Sequence, residues 1–120
     1  MIRGVKFASI PVTDQDRALS FYTEKLGFRL LTDQPFDGKQ RWIELGLPGA
    51  DTRIVLFSFD NGPAPGSQMN VTFWADDVEA TVRDLKSRGV EFVKGPEQTG
   101  WGSFAIFRDI DQNTFVLGSR

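Results

Sequence analysis

Glu44 and Arg53 are the two residues of this sequence whose types and spacing best suit acid–base chemistry. They flank Leu47-Pro48-Gly49-Ala50-Asp51, a segment typical of a hairpin turn. A hairpin centred between Pro48 and Gly49 would place Glu44 directly opposite Arg53 on the neighbouring strand. Glu44 would then act as a general base while Arg53 stabilises an enolate-like oxyanion, as in a metal-independent lyase or isomerase.

The same two residues have a structural alternative. A cross-strand ion pair between Glu44 and Arg53 would contribute under about 1 kcal/mol if it were exposed. Catalysis requires the carboxylate of Glu44 to be desolvated so that its pKa rises towards the working pH, and a tight pair with Arg53 opposes that rise. The sequence leaves both roles open.

The absence of two residue types restricts the chemistry further. The chain of 120 residues contains neither Cys nor His. This excludes disulfides and thiolate nucleophiles, and it removes the usual general base near neutral pH.

The formal net charge is -2, with acids and bases mixed along the chain, so nothing indicates a nucleic-acid or anionic-lipid partner. No apolar stretch approaches about 18 residues, and we expect a cytoplasmic protein with a small-molecule ligand and no membrane contact.

Two acidic clusters have structural explanations. Asp76-Asp77 precedes an amphipathic segment and is predicted to complement the macrodipole at a helix N-terminus. Asp109, Asp111 and Asn113 superficially resemble a calcium-binding loop, but no downstream Glu completes the pattern. A tight turn before the last strand is therefore the prediction for this segment.

The elements that position these residues occur twice, because each half has the order strand, capped helix, Gly and strand. A capping oxygen three residues before an acid predicts each helix start, Thr13 with Asp16 and Asp76 with Glu79. Both helices are expected to end at a Gly in the left-handed conformation, Gly27 and Gly89. Apolar residues at helical spacing give each helix one buried face, formed by Leu19, Tyr22 and Leu26 in the first and Val78, Val82 and Leu85 in the second.

Three strands are predicted after each helix. They cover approximately residues 28–33, 40–47 and 52–59 in the first half and 91–94, 101–108 and 114–118 in the second. The predicted fold class is therefore α+β, with two tandem βαβββ modules, 1–60 and 68–120, in a single domain and a Pro/Gly-rich linker over 61–67. An unrepeated α+β sandwich is the alternative.

Six short motifs follow one another in a specific order along the whole chain. They are Ile10-Pro11-Val12-Thr13-Asp14, Ala18-Leu19-Ser20-Phe21-Tyr22, Leu26-Gly27-Phe28, Asp76-Asp77-Val78-Glu79, Trp101-Gly102 and Asp109-Ile110-Asp111-Gln112-Asn113. Together they resemble the vicinal oxygen chelate superfamily of glyoxalases, bleomycin resistance proteins and extradiol dioxygenases. The resemblance implies curled mixed sheets around one cavity, helices on the outer face and commonly a homodimer. It also implies, in the enzymes of the family, one divalent metal that chelates vicinal oxygens.

The resemblance places four metal-ligand positions on the first and last strands of the two modules. The family's ligands are usually His, Gln or Glu, whereas this chain has Phe7, Val55, Asn70 and Val116. Val116 stands where family enzymes have the Glu that follows Asp-Pro-Asp-Gly-Asn. None of the four side chains offers an anionic or imidazole donor, so we expect no metal site and no cofactor.

If these four positions face the cavity, strand alternation selects their neighbours on the same face. The expected ligand-binding residues are Phe7, Ser9, Trp42, Val55, Phe57, Asn70, Thr72, Trp74, Trp101, Ser103 and Val116, with the possible catalytic pair Glu44 and Arg53 beside them. Ala105 and Phe107 are assigned to the same face as Trp101 and Ser103. Many aromatic rings with few polar groups suit a pocket for a planar or ring-bearing small molecule.

The leading hypothesis is a metal-independent small-molecule binding protein of the glyoxalase/bleomycin-resistance type, which acts by sequestration or sensing. One alternative is a lyase or isomerase that uses Glu44 and Arg53. Another is a structural or partner-binding dimer whose vestigial cavity is filled by its own side chains. The fold does not decide among them, because one fold can carry unrelated functions.

Overall fold

Two βαβββ modules make up the chain, so the predicted α+β class and tandem repeat are confirmed. A computed structural model of the protein describes residues 1–120. The backbone divides into two units, Met1–Pro65 and Gly66–Arg120. The division falls within the Pro/Gly-rich segment 61–67.

The first unit contains one helix and one four-stranded sheet. Its elements are β1 (Phe7–Ile10), α1 (Gln15–Ser20) with a π-helical continuation over Phe21–Lys25, β2 (Arg29–Pro35), β3 (Arg41–Gly46) and β4 (Arg53–Leu56). The strand order is β1-β4-β3-β2. β1 and β4 are parallel, and the other neighbours are antiparallel.

The second unit repeats this topology. Its elements are β5 (Gln68–Ala75), α2 (Val78–Ser87), β6 (Glu91–Thr99), β7 (Gly102–Arg108) and β8 (Thr114–Ser119), in the sheet order β5-β8-β7-β6 with β5 and β8 parallel. β6 extends to Thr99 instead of ending at residue 94. An irregularity between Lys94 and Glu97 accommodates Gly95 and Pro96, and pairing with β7 then resumes.

Both helices begin one residue later than predicted. Asp14 caps α1 by accepting a hydrogen bond from the backbone N–H of Arg17. Asp77 caps α2 in the same way, by accepting from the N–H of Ala80. For α1 the shift is physically reasonable, because an Asp carboxylate is at least as good an N-cap acceptor as the hydroxyl of Thr13. For α2 both candidates are Asp, so residue type does not distinguish Asp76 from Asp77.

The helix ends and buried faces were predicted in part. Gly27 and Gly89 have positive φ angles of 77° and 90° and terminate the helices as expected. The α2 face is buried as predicted, but the first helical segment buries Ala18, Phe21 and Tyr22 while leaving Leu19 and Leu26 partly exposed. The wider π-helical turn over Phe21–Lys25 changes the phase of the residues that follow it, which accounts for Leu26 but not for Leu19, which precedes it. Neither helix has the length and hydrophobicity that a membrane-spanning helix requires.

Two glutamine side chains explain why β4 is shorter than predicted. Gln15 accepts from the backbone N–H of Arg41 and donates to the carbonyl oxygens of Arg41 and Leu56 at 2.7 and 2.9 Å. Gln40 exchanges two hydrogen bonds of 2.9 Å with the backbone of Ser58. These amides take the place of main-chain pairing between β3 and the segment after β4, so the two strands separate at this end.

Candidate functional site

The two faces of the first sheet differ in composition. The buried face carries aliphatic side chains that are at most 3% exposed, namely Ile10, Ile43, Leu45, Ile54 and Leu56. On the opposite face Phe7 lies beside Arg53, while Val55 lies between Ser9 and Glu44. The predicted alternation is therefore confirmed in this half of the chain.

Five rings on this second face form an aromatic cluster, which consists of Phe7, Phe36, Trp42, Phe57 and Phe59. Trp42 is at its centre, with ring centroids 5.5 Å from Phe7, 5.8 Å from Phe36, 5.2 Å from Phe57 and 6.1 Å from Phe59. Phe57 also lies 5.0 Å from both Phe36 and Phe59. Separations of this size and the tilted or edge-on geometries are favourable for aromatic pairs.

Hydrogen bonds outside the strands position three of these rings. Ser58 exchanges hydrogen bonds of 2.9 Å with the backbone of Val12, which fixes the segment that carries Phe57 and Phe59. The turn before β3 is closed by Asp37, whose carboxylate accepts from the N–H groups of Lys39 and Gln40 at 2.7 Å. The N–H of Phe36 in turn donates to the carbonyl of Gln40. The cluster is thus held by the sheet and by two ordered loops.

The cluster is open to solvent on its outer side. Phe57 is 5% exposed, whereas Phe36 and Phe59 are 60% and 43% exposed. Phe36 and Phe59 were not predicted as site residues. Alternation beyond Phe57 would have identified Phe59, but no periodic signal marks Phe36, which lies in a loop. A buried inner ring with exposed outer rings gives an apolar surface that can receive a flat molecule.

Glu44 joins the aromatic cluster to a cation. Its two carboxylate oxygens accept from Nε1 of Trp42 at 2.8 Å and from Nη1 of Arg53 at 2.9 Å. The side chain of Glu44 is 16% exposed and that of Arg53 is 48% exposed. Glu44 pairs across the ladder with Val55 and not with Arg53, so the predicted hairpin register was wrong. The ion pair still forms, because long side chains reach diagonal neighbours on one sheet face.

This arrangement keeps Glu44 ionised. The pKa of Glu44 lies below its ordinary value of 4.5 because Arg53 and Trp42 donate hydrogen bonds to the carboxylate, while partial desolvation acts in the opposite direction. A general base that works near neutral pH needs a raised proton affinity. The contacts of Glu44 therefore oppose the catalytic role and favour a fixed anion that orients Trp42 and Arg53.

The lowered pKa predicts the sign of a pH effect on stability. A carboxylate with a depressed folded-state pKa contributes stability that is present above pH 4.5 and lost as the pH falls through the folded-state value. We expect the stability difference between the wild type and Glu44→Gln to stay constant from about pH 8 to pH 5 and to shrink below that. Urea unfolding across this range measures it. A difference that grows as the pH falls through neutrality would indicate a raised pKa and contradict the assignment.

The second sheet has a smaller aromatic surface. Thr72 pairs with Val116 and Trp74 with Gly118, so Thr72, Trp74 and Val116 share one face as predicted. Trp74 is 54% exposed, and the guanidinium carbon of Arg120 lies 4.6 Å from its ring centroid. This distance is typical of a cation–π contact.

The prediction for β7 was wrong by one residue. Ala105 pairs with Leu117 and Phe107 with Phe115, which puts Ala105 and Phe107 on the buried face. Ser103 lies on that side as well, and its hydroxyl donates to Glu79 of α2 at 2.7 Å. The residues opposite Val116 and Gly118 are instead Ile106 and Phe104. The error arose because β7 carries large apolar residues on both faces, so alternation does not distinguish them.

Trp101 also departs from its predicted position. It lies outside β7, in the turn between β6 and β7, and is 95% exposed. Its backbone N–H donates to the hydroxyl of Thr99. The structure therefore does not bring Trp101 onto the sheet face that holds Trp74.

The four positions at which family enzymes bind metal do not fit a divalent ion. Phe7, Val55 and Val116 have hydrocarbon side chains, and the exposed Asn70 supplies one neutral amide oxygen. Catalytic metal sites need several anionic or imidazole donors. No group of three or more Asp or Glu residues converges to hold a metal ion.

Comparison with known proteins gives consistent results. The family model described as Glyoxalase/Bleomycin resistance protein/Dioxygenase superfamily matches residues 4–117. The chain is 35% identical to YetH of Bacillus subtilis over 120 residues, which cover 98% of both proteins. It is 37% identical to YurT of the same organism over 119 residues, or 91% of this chain and 93% of YurT.

Two solved structures are similar over nearly their full length. TnmS3, an antibiotic binding protein from a Streptomyces strain, has a TM-score of 0.89 and 41% identity, covering 98% of this chain and 96% of TnmS3. A glyoxalase/bleomycin resistance protein/dioxygenase superfamily member from Sphaerobacter thermophilus has a TM-score of 0.91 and 33% identity, covering 99% and 98% of the two chains.

Proposed function

The chain belongs to the Glyoxalase/Bleomycin resistance protein/Dioxygenase superfamily, and we propose that it is a metal-independent member that binds a planar, ring-bearing small molecule on the aromatic cluster. The observation that carries the proposal is the position of Trp42, whose ring contacts four other rings while the outer part of the cluster stays exposed. Similarity to TnmS3, a protein named for antibiotic binding, supports a small-molecule ligand.

The physical basis of the proposal is stacking combined with one fixed polar edge. Rings that are already packed against one another lose little conformational entropy when a flat ligand is added. Glu44 and Arg53 give this surface a polar boundary through hydrogen bonds of 2.8 and 2.9 Å. A mainly apolar surface with a few placed polar groups is the usual composition of a ligand site.

The lyase or isomerase alternative is less well supported by the geometry. It requires Glu44 to accept a proton from the substrate near neutral pH. Arg53 and Trp42 lower the pKa of Glu44 and occupy both of its oxygens. We therefore propose binding without chemistry as the function.

Native mass spectrometry of freshly purified protein is the direct test of ligand binding. We expect a retained small molecule, or saturable binding of planar compounds added after its removal. Calorimetric titration with anthracene derivatives, and with saturated tricyclic analogues of similar size as controls, gives the affinities. Absence of any retained ligand, together with equal weak binding of flat and saturated compounds, would contradict the proposal.

Metal independence gives a separate prediction. Because the four family ligand positions supply one amide oxygen and three hydrocarbon side chains, zinc, nickel, manganese and iron salts should produce no saturable rise in the unfolding midpoint. Elemental analysis should find less than one metal ion per chain. One tightly held divalent ion per chain that is lost on replacing Asn70 would overturn this prediction.

We also propose that the protein forms a homodimer. Each sheet has open edge strands, and apolar residues on them remain exposed: Leu30 and Leu31 on β2 are 43% and 42% exposed, and Val93 on β6 is 43% exposed. Such edges are normally paired or covered. Sedimentation equilibrium should therefore give about twice the chain mass of 13.5 kDa. A monomer at every accessible concentration would contradict this expectation.

A further inference from the structure

Arg53 has hydrogen-bonding capacity that the protein does not use. Its Nη1 donates to Glu44 at 2.9 Å, and its Nε and Nη2 make no hydrogen bond within the protein. The side chain is 48% exposed, so these N–H groups remain available to a ligand. A guanidinium with free donors binds carboxylate or other oxyanion groups with defined geometry.

The charge around Arg53 also favours an anion. Lys6 adds a second cation, because its charge, like that of Arg53, helps to lower the pKa of Glu44, and its side chain is exposed. Glu44 is the one carboxylate in contact with Arg53. The β2 residues opposite Glu44 and Trp42 are neutral, namely Thr32 and Gln34. Two cations beside one carboxylate leave a local excess of one positive charge.

The cationic group lies at the edge of the aromatic cluster. Arg53 pairs with Phe7 across β1 and β4, so their side chains emerge on the same face. The ring of Phe7 is 5.5 Å from that of Trp42, and Glu44 links Trp42 to Arg53. A ring stacked on the cluster would therefore place a substituent near the unused N–H donors.

We propose that the aromatic cluster selects ring-bearing ligands that carry an anionic oxygen group, which the free donors of Arg53 bind. This inference rests on the proposed function and specifies the ligand class of the same site. Anthracene carboxylate, the neutral anthracene carboxamide and the cationic aminomethylanthracene form a matched probe set, because they share the ring and differ in charge.

Titration of the three probes at low salt tests the inference. We expect wild-type protein to bind the carboxylate about fivefold or more tightly than the carboxamide, and the cation most weakly. The ratio of carboxylate affinity to carboxamide affinity should fall as NaCl is raised from about 0.01 to 0.5 M, because salt screens the charge of the exposed guanidinium. Arg53→Gln should bring the carboxylate-to-carboxamide ratio close to one while the carboxamide still binds.

A second variant should change the preference in the opposite direction. Glu44→Gln removes the competing carboxylate, so we expect it to increase the preference for the carboxylate probe. Arg88→Gln, at the end of α2, changes the net charge as Arg53→Gln does and should leave the ratio as in wild type. A variant that merely fails to fold would lose binding of all three probes, and circular dichroism would identify it.

The outcomes separate the inference from the proposed function. Equal wild-type affinity for the carboxylate and the carboxamide would overturn the inference, while measurable binding of both would leave the ring-binding function intact. Lack of binding of all three probes to folded wild-type protein would overturn both. Loss of the preference in Arg88→Gln as well as Arg53→Gln would also overturn the role of Arg53, because the effect would then reflect net charge.

Discussion

Asn113→Ala is expected to lower the free energy of unfolding by about 3–5 kcal/mol. Asn113 is fully buried. Its Oδ1 accepts from the backbone N–H groups of Gly66 and Ser67 at 2.8 and 3.2 Å, and its Nδ2 donates to Asp109 at 2.9 Å. Alanine would leave two partly buried backbone N–H groups and an oxygen of the buried Asp109 carboxylate without these partners. Urea unfolding with an unchanged m-value measures the effect.

Two further variants make this prediction specific. Asn113→Asp keeps the acceptor for Gly66 and Ser67 but places a second carboxylate against Asp109. We expect this variant to be destabilised at neutral pH and to recover partly on acidification, because protonation of one carboxyl restores a donor. Asn61→Ala in the exposed linker should change stability by less than about 0.5 kcal/mol. A loss of less than about 1 kcal/mol for Asn113→Ala would contradict the importance of the network.

Trp42→Ala is expected to weaken ligand binding by about 1–3 kcal/mol, which corresponds to roughly fivefold to more than hundredfold. The ring is the centre of the aromatic cluster, and its Nε1 fixes Glu44. We expect a smaller cost in stability, about 1–2 kcal/mol, because the side chain is partly exposed in the free protein. Calorimetric titration with a planar probe and urea unfolding of the same variant measure the two effects.

Trp101→Ala is the matched control. Trp101 is 95% exposed in a turn of the second unit. The stability and the ligand affinity of the Trp101→Ala variant should therefore remain close to those of the wild type. A loss of about 3–5 kcal/mol in stability for Trp42→Ala, without a specific effect on binding, would identify Trp42 as core and remove the support for a binding surface.

The topology could be predicted from the sequence because each module repeats the same local signals. Glycines that require positive φ, Gly27 and Gly89, end both helices, and apolar alternation identifies the strands of both sheets. The predicted faces of β1, β4 and β5 were correct because one side of each strand is clearly more polar or aromatic than the other. Strong asymmetry between faces therefore made the site residues of these strands predictable.

The remaining site residues could not be predicted for identifiable physical reasons. One face of β7 carries Phe104 and Ile106, and the other carries Ala105 and Phe107. Because both faces are apolar, hydrophobicity does not show which of them is buried. The register of the β3–β4 hairpin depends on turn geometry and not on the apolar pattern. The predicted cross-strand pairing of Glu44 with Arg53 was therefore wrong. Phe36 belongs to a loop whose position depends on hydrogen bonds of Asp37 and Gln40.

The most direct measurement of the central claim is a proton–nitrogen NMR titration of the three tryptophan indole N–H signals with anthracene carboxylate. Trp42→Phe and Trp101→Phe variants assign the signals. We predict a large, saturable shift of the Trp42 indole signal, because its ring lies within the aromatic cluster and its N–H is bonded to Glu44. The signal of the exposed Trp101 should not move. Saturable binding that shifts Trp101 and leaves Trp42 unchanged would contradict the assignment of the aromatic cluster as the ligand site.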